Sequence, residues 1–143
     1  MKKSETNRTP PVIPGLFSLP PYDEAPPTLL GGYCEKCKRH YFPRSKYCPQ
    51  CLGQIRQAAV GSSGTIYSYT VVRSKAPLGL PSPYSVIYVD LVESGLRVFG
   101  LFDPEAIDQL RIGLEVELTA GPLGHDAKGQ LCLRPYFKLR KID

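Results

Sequence analysis

Two Cys-x-x-Cys pairs, Cys34–Cys37 and Cys48–Cys51, constrain the fold of this 143-residue chain more than any other feature. Each pair can hold two sulfur atoms on one side of a tight turn, and two such turns can complete a tetrahedron around one metal ion. A four-thiolate site leaves no coordination position for substrate or water, so we expect it to serve folding rather than chemistry. The spacing therefore predicts a small ribbon held by one structural zinc ion.

Disulfide bonds and iron are the two alternatives to zinc. Met1-Lys2-Lys3 begins like a signal peptide, but the next residues are polar and give export no support. We therefore expect a cytoplasmic protein, where paired Cys-x-x-Cys units bind metal far more often than they oxidise. The longest apolar runs fall short of the ~18 residues that a membrane helix needs. Iron would make a rubredoxin-like redox centre. The cationic residues around the cysteines, and the barrel predicted to follow them, favour a structural zinc ion over such an electron-transfer centre.

The net charge of +5 is concentrated in the cysteine-bearing segment. Residues 34–60 contain six Lys and Arg against Glu35 alone, which gives 6 − 1 = +5, and the rest of the chain cancels. A zinc ion with four thiolates is a dianion, so nearby cations offset it and leave about +3. That surplus is either solvated surface or a patch for an anionic ligand or an acidic partner.

Residues 1–30 are predicted to form an extended, proline-rich arm. Seven of the first 27 residues are proline, which excludes a helix there. The arm is too apolar for a pure solvent tail, so it lies along this protein or along a partner. Its apolar residues are Val12, Ile13, Leu16, Phe17, Leu19 and Tyr22.

Residues 61–143 are predicted to form a small barrel after a zinc ribbon at residues 31–60. Five segments rich in Thr, Tyr, Ile and Val read as strands, and an Asp-Pro-Glu start predicts one short helix between the third and fourth. This mainly β order is that of an OB-fold, with an SH3-like barrel as the main rival. The predicted strands are Thr65–Arg73, Tyr84–Val92, Gly95–Phe102, Leu114–Thr119 and Leu131–Arg140, with the helix after Asp103 and a polar loop at Gly121–Gly129.

Residues that could be catalytic have simpler structural interpretations. Cys132 lies in a strand pattern and is expected to be a buried structural thiol. His40 and His125 have no sequence partner that suggests a proton relay, and Glu115 and Glu117 alternate as the wet face of a strand. We therefore expect no complete active site in this chain and no enzyme activity on its own.

Two binding functions remain open from the residues alone. A zinc ribbon beside an OB barrel is a plausible single-stranded nucleic-acid module, although the barrel itself is neutral and cations usually follow the nucleic-acid backbone. The other function is that of a subunit supporting an enzyme that acts on a small anionic or phosphate-bearing substrate. The stacking platforms expected for nucleic acid are Tyr67, Tyr69, Tyr84 and Tyr88.

An ordered set of motifs resembles one family. The motifs are the two cysteine pairs with Tyr41-Phe42-Pro43-Arg44 between them, Ser63 to Val72, Pro83 to Ile87, Gly95 to Val98 and Ile112 to Val116. Over about residues 30–140 the chain resembles the DUF35 proteins, acyl-CoA-associated OB-fold proteins with a rubredoxin-like zinc ribbon. Family members often open with a helical segment, which the proline-rich arm replaces here.

The resemblance implies a non-catalytic partner of a thiolase-superfamily enzyme, or sometimes of a hydratase or aldolase, that works on acyl-CoA, with the catalytic residues on the larger partner. It implies that the small protein stabilises the complex and helps to form the CoA or acyl site. From the residues themselves we expect no membrane partner, and the neutral barrel disfavours nucleic acid. A thiolase that cleaves a bulky acyl-CoA, such as benzoylsuccinyl-CoA, would suit a stand-alone chain of this size. Arg44, Lys46 and Lys75 are our candidates near CoA phosphates, because Arg and Lys hold phosphate oxygens.

Overall fold

Two antiparallel sheets follow one another along the chain in the computed structural model, which describes residues 9–18 and 27–140. The first sheet has three strands in the order β2-β1-β3, and the second has five in the order β6-β5-β4-β7-β8. This confirms the predicted fold class, a ribbon followed by a five-stranded barrel. The strands are β1 (Leu29–Cys34), β2 (Arg39–Tyr41), β3 (Arg56–Gly61), β4 (Ser63–Val72), β5 (Tyr84–Leu91), β6 (Arg97–Leu101), β7 (Glu115–His125) and β8 (Leu131–Leu139).

The barrel core follows from the two-residue period of its strands. In β5 the side chains of Ile87, Val89 and Leu91 are buried, and Tyr88 between them is exposed. The far strands meet where Phe102 pairs with Phe137, and the N–H of Asp103 donates to the Phe137 carbonyl at 2.8 Å. Both phenylalanines are 2% exposed, so this contact closes the sheet around the core. The core also contains Val60, Ile66, Val98, Val116 and Leu118.

The predicted helix between the third and fourth barrel strands is present as a 3₁₀ helix, Pro104–Gln109. Asp103 caps it, with its Oδ1 accepting from the N–H of Glu105 at 3.0 Å. Proline in the first turn fits a helix start because its missing N–H has no intrahelical partner there. A second 3₁₀ turn, Pro77–Gly79, lies in the loop between β4 and β5.

The predicted loop at Gly121–Gly129 is wrong, because β7 continues to His125 and only the following residues turn. A register shift between Pro122 and His125 interrupts the pairing of β7 with β8. The guanidinium of Arg134, 8% exposed, donates to the Leu123 carbonyl at 2.6 Å and to the His125 carbonyl at 3.3 Å. These bonds satisfy carbonyls that the interrupted ladder leaves free, so the strand persists despite its Gly and Pro content.

The arm lies along its own chain over residues 9–18. The N–H of Val12 donates to the Leu133 carbonyl at 2.8 Å, and the N–H of Leu133 donates to the Pro10 carbonyl at 2.7 Å. The arm therefore covers part of the β8 edge with main-chain hydrogen bonds. It then reaches the ribbon, where the N–H of Leu30 donates to the Leu16 carbonyl at 2.9 Å.

Phe17 fixes the arm by burial. It is 5% exposed, pairs with Leu29 at the start of β1 and belongs to the main core. Of the two positions left open for the arm, docking on its own domain therefore holds for residues 9–18. Leu19 and Tyr22 lie outside the described residues.

Within residues 9–18 and 27–140, no helix is long and apolar enough to cross a membrane. The exact domain boundaries, 1–30, 31–60 and 61–143, stay a prediction.

Candidate metal centre

The four cysteines of the two pairs converge at one end of the ribbon. Their Sγ atoms all lie within 4.8 Å of one another. Cys34 Sγ is 3.6 Å from Cys51 Sγ, and Cys37 Sγ is 3.9 Å from Cys48 Sγ. Four sulfur atoms at ~2.3 Å from a central zinc lie ~3.8 Å apart in a regular tetrahedron. The donor set and its spacing therefore fit a structural zinc ion.

The two cysteine turns have the same backbone design. In the first, the N–H of Lys38 donates to the Cys34 carbonyl at 2.7 Å, and Lys38 has a φ of 58°. In the second, the N–H of Leu52 donates to the Cys48 carbonyl at 2.8 Å, and Leu52 has a φ of 62°. The left-handed residue after each pair reverses the chain, so both sulfurs of a pair point to one side.

Backbone N–H groups point at three of the sulfur atoms. Cys34 Sγ accepts from the N–H of Cys37, and Cys48 Sγ accepts from the N–H of Gln50, both at 3.4 Å. Cys51 Sγ accepts from the N–H of Gly53, also at 3.4 Å. Such bonds favour the thiolate form, which is the form that binds metal.

Tyr41 supplies a side-chain contact to the cluster. Its hydroxyl lies 3.4 Å from Cys48 Sγ, and Cys48 is fully buried. This hydroxyl, with help from backbone N–H groups, lowers the pKa of the Cys48 thiol from 9.0 to about 6. The same contact raises the pKa of the Tyr41 hydroxyl from 10.0 to about 12, so it remains a donor. The neighbouring Cys51 thiol is the main reason that the pKa of Cys37 is raised to about 12.

We predict that Tyr41→Phe weakens zinc binding without preventing it. Removing a hydrogen bond to a metal ligand typically costs about 10- to 100-fold in metal affinity. The rate and extent of zinc transfer to a chromogenic chelator measure the effect. Tyr47→Phe is the matched control, because Tyr47 is a ribbon tyrosine that is 53% exposed. Equal zinc affinity in the two variants would show that the Tyr41 hydroxyl has no effect on the site.

The cationic ribbon surface has one internal ion pair. Arg56 Nε donates to Glu35 Oε2 at 2.6 Å, and its guanidinium lies 4.8 Å from the Tyr33 ring centroid. Within the described residues, the other basic side chains of the ribbon form no salt bridge. These are Lys36, Lys38, Arg39, Arg44 and Lys46, and they lie in the same segment as the four cysteines, which would carry a zinc–thiolate charge of −2.

The three residues suggested for CoA phosphates are all exposed, and they lie in two different places. Arg44 and Lys46 lie in the ribbon, whereas Lys75 lies in the loop between β4 and β5. Arg44 donates to the Ile55 carbonyl at 3.3 Å and borders a cleft of about 260 Å³ between the ribbon and the arm. The rest of this cleft is lined by residues of the arm and of the ribbon: Ile13, Pro14, Gly15, Leu16, Leu30, Pro43 and Gln57.

The residues considered for catalysis are not assembled into a site. Cys132 is fully buried in β8, as predicted. His40 packs against the Tyr33 ring at 4.8 Å, and His125 Nδ1 lies 3.1 Å from the Asp126 carbonyl. These contacts are structural rather than parts of a proton relay.

The four candidate stacking tyrosines do not share one surface. Tyr67 and Tyr88 are exposed on the outer side of the barrel sheet. Tyr69 is the register partner of buried Ile87, so the pleat places it on the opposite side from Tyr88. Tyr84 is half-buried. Phe99, which was not predicted as part of a site, faces Tyr88 across the β5–β6 pair and is 56% exposed.

Comparison with known families gives two matches along the chain. The rubredoxin-like zinc ribbon domain of ChsH2 matches residues 24–55, and the C-terminal OB-fold domain of ChsH2 matches residues 57–120. The benzoylsuccinyl-CoA thiolase subunit BbsA of Thauera aromatica is 32% identical over 149 aligned residues, which cover 99% of this chain and 100% of that protein. The chain belongs to the ChsH2 (DUF35) family. Its four cysteines are therefore those of a DUF35 zinc ribbon.

Two further DUF35 proteins are similar to the chain. A DUF35 domain-containing scaffold protein of Methanocaldococcus jannaschii is 28% identical, over 62% of this chain and 64% of that protein. The solved structure of an Ltp2-ChsH2(DUF35) aldolase matches with a TM-score of 0.63 at 27% identity, over 78% of this chain and 84% of that one. DUF35 chains with this fold are thus found in complexes and under a scaffold name.

Proposed function

We propose that this chain is the non-catalytic subunit of a thiolase-superfamily enzyme that forms or cleaves a C–C bond in an acyl-CoA. The observation that carries the proposal is the full-length similarity to the BbsA thiolase subunit. The scaffold name of the M. jannaschii relative and the aldolase complex of the structural neighbour support the same role. The chain then stabilises the complex in the cytoplasm, and the catalytic groups belong to the larger subunit.

The chemistry of the described residues favours a structural, non-catalytic role. Four cysteines fit a closed zinc site that offers no position to a substrate. The remaining cysteine, Cys132, has no exposed surface, so its thiol cannot reach a substrate from solvent. The ribbon and the barrel therefore supply a rigid shape rather than a reacting group.

Complex formation tests this function. The chain should co-purify with the thiolase-superfamily protein encoded beside its gene when both are co-expressed and only this chain carries a tag. We expect the partner to lose most of its activity or solubility when it is produced alone, because it lacks the stabilising subunit. A partner that is fully stable and active by itself, with no complex formed, would contradict the proposal.

We further propose that the ribbon contributes to the CoA site of the complex. Arg44 borders the cleft between the ribbon and the arm, and Lys46 adds a second cation to the same segment. A guanidinium beside an apolar wall suits the phosphates and the pantetheine chain of CoA. In the purified complex, Arg44→Ala and Lys46→Ala should each raise KM for acyl-CoA with little change in kcat, and Lys75→Ala tests the separate position in the loop between β4 and β5. An unchanged KM in all three would place the CoA phosphates on the partner alone.

A further inference from the structure

Three exposed aromatic side chains lie on the outer side of β4, β5 and β6. Tyr67, Tyr88 and Phe99 are 50%, 44% and 56% exposed. The rings of Tyr88 and Phe99 meet edge to face at 5.2 Å across the β5–β6 pair. The guanidinium of Arg97 lies 3.4 Å from the centroid of the Tyr67 ring. We call Tyr67, Tyr88, Arg97 and Phe99 the aromatic face.

The side chains of the aromatic face are held in place before any partner binds. Arg97 donates two hydrogen bonds to the carboxylate of Asp90, its register partner on β5, at 2.6 and 3.2 Å. Arg97 in turn lies over Tyr67, which is located at a register shift between Ile66 and Ser68. A bulge of this kind re-aims a side chain out of the regular pleat. Little conformational entropy is then lost when the face is covered, which favours binding.

The charge of the aromatic face selects the kind of partner. Strands β4, β5 and β6 together contain one basic residue, Arg97, and one acidic residue, Asp90, and these two form a salt bridge. A nucleic-acid groove requires cations that follow the phosphate backbone, so a face with no net charge does not suit it. Tyr, Phe and Arg are enriched at the centre of protein–protein interfaces.

The exposed area of the aromatic face matches the centre of a protein interface rather than a whole interface. Three half-exposed aromatic rings offer about 300 Å². This is a fraction of the ~800 Å² that each partner buries in an interface of standard size, and permanent complexes of like or unlike chains bury more. The face therefore suits the apolar centre of a standard interface, with the hydroxyls of Ser68 and Thr70 on β4 beside it as part of a polar rim.

We propose that the aromatic face is the surface by which this chain docks on its catalytic partner, and that it fits an apolar, uncharged groove that receives Tyr88 and Phe99. This inference rests on the proposed function, because it takes the thiolase-superfamily subunit as the occupant. It separates the roles of the two domains: the barrel binds the partner, and the cationic ribbon remains free for an anionic ligand.

Phe99→Glu in the co-expressed complex tests the docking surface. A carboxylate at the centre of an apolar interface should raise the Kd of the complex about 100-fold, because aromatic hot spots carry much of the binding energy. Ile112→Glu is the matched control, since Ile112 is 68% exposed and lies outside the aromatic face. Both variants should keep one zinc equivalent and the melting temperature of the unchanged chain. Phe99→Ala, a milder change, should weaken binding in the same direction.

Four results would overturn the inference, and they are distinguishable from one another. If the wild-type complex forms, and Phe99→Glu and Phe99→Ala leave its Kd unchanged, the docking surface is contradicted but the proposed function is not. A wild-type chain that forms no complex with the partner would contradict both the docking surface and the proposed function. A homodimer of the chain alone that Phe99→Glu dissociates, measured by sedimentation, would assign the face to a second copy. Binding of fluorescent oligo-dT that Tyr88→Ala abolishes would assign it to nucleic acid.

Discussion

Replacing Cys48 with serine should release the zinc and unfold the ribbon. Cys48 is fully buried and faces the other three cysteines, and its Sγ accepts a hydrogen bond from the hydroxyl of Tyr41. Serine offers a poor ligand atom at a shorter reach, and the binding free energy of structural zinc, ~10 kcal/mol or more in isolated fingers, is largely folding free energy. We expect the zinc content to fall from one equivalent to near zero. Hydrogen exchange should show loss of protection in β1, β2 and β3.

Cys132→Ser is the control for this experiment. Cys132 is as buried as Cys48 but lies in β8, outside the four-cysteine cluster. Its substitution places a hydroxyl at a fully buried position of β8, so it should lower the melting temperature while leaving one zinc equivalent bound. Metal analysis of the unchanged protein also separates zinc from iron, since an iron–thiolate protein is coloured and redox-active. A Cys48→Ser protein with a full zinc equivalent and a protected ribbon would contradict the structural role of the site.

The metal cluster could be predicted from the sequence because its information is local. Each Cys-x-x-Cys pair defines a single turn. The spacing of the four cysteines is enough to distinguish this metal-binding pattern from other cysteine patterns. The same holds for the barrel strands, whose β-branched and aromatic residues alternate with a period of two. The cap of Asp103 on the 3₁₀ helix is equally local. The strand segments and the helix start, each set by neighbouring residues, therefore agree with the structure, and the four cysteines converge as their spacing predicts.

The features that were missed depend on residues far apart in the sequence. The extension of β7 depends on Arg134, whose guanidinium reaches the Leu123 and His125 carbonyls from the next strand. A glycine- and proline-rich segment read alone predicts a loop, and no local signal reveals a buried arginine that will satisfy its carbonyls. The contact of Tyr41 with Cys48 arises only when the ribbon closes.

The aromatic face shows the same limit. Tyr88 and Phe99 are partners only in the β5–β6 register, and Tyr69 leaves the face because the register shift near Tyr67 changes which residues of β4 point outward. A register shift of one residue moves side chains to the other side of a sheet. The tyrosines in the sequence therefore include two members of the aromatic face, Tyr67 and Tyr88, but they do not reveal the surface that these form with Phe99.

Among residues 9–18 of the arm, Phe17→Ala should be the most destabilising single change. Phe17 is 5% exposed, packs in the main core and pairs with Leu29 of the ribbon, while the carbonyl of its neighbour Leu16 accepts from the N–H of Leu30 in β1. Truncating a buried phenylalanine to alanine typically costs about 3 kcal/mol or more of unfolding free energy, from lost apolar burial and the cavity that remains. For a chain of this size the melting temperature should fall by about 10 °C.

Ile13→Ala provides the matched comparison within the same arm. Ile13 is 54% exposed, so its truncation should change the melting temperature by less than about 2 °C, measured by thermal denaturation with zinc present. Because the arm joins the ribbon to the edge of β8, Phe17→Ala should also raise hydrogen exchange at the N–H of Leu133, which donates to the Pro10 carbonyl. Equal melting temperatures for the two variants would mean that the arm does not stabilise the chain that it covers, and that its apolar residues serve a partner instead.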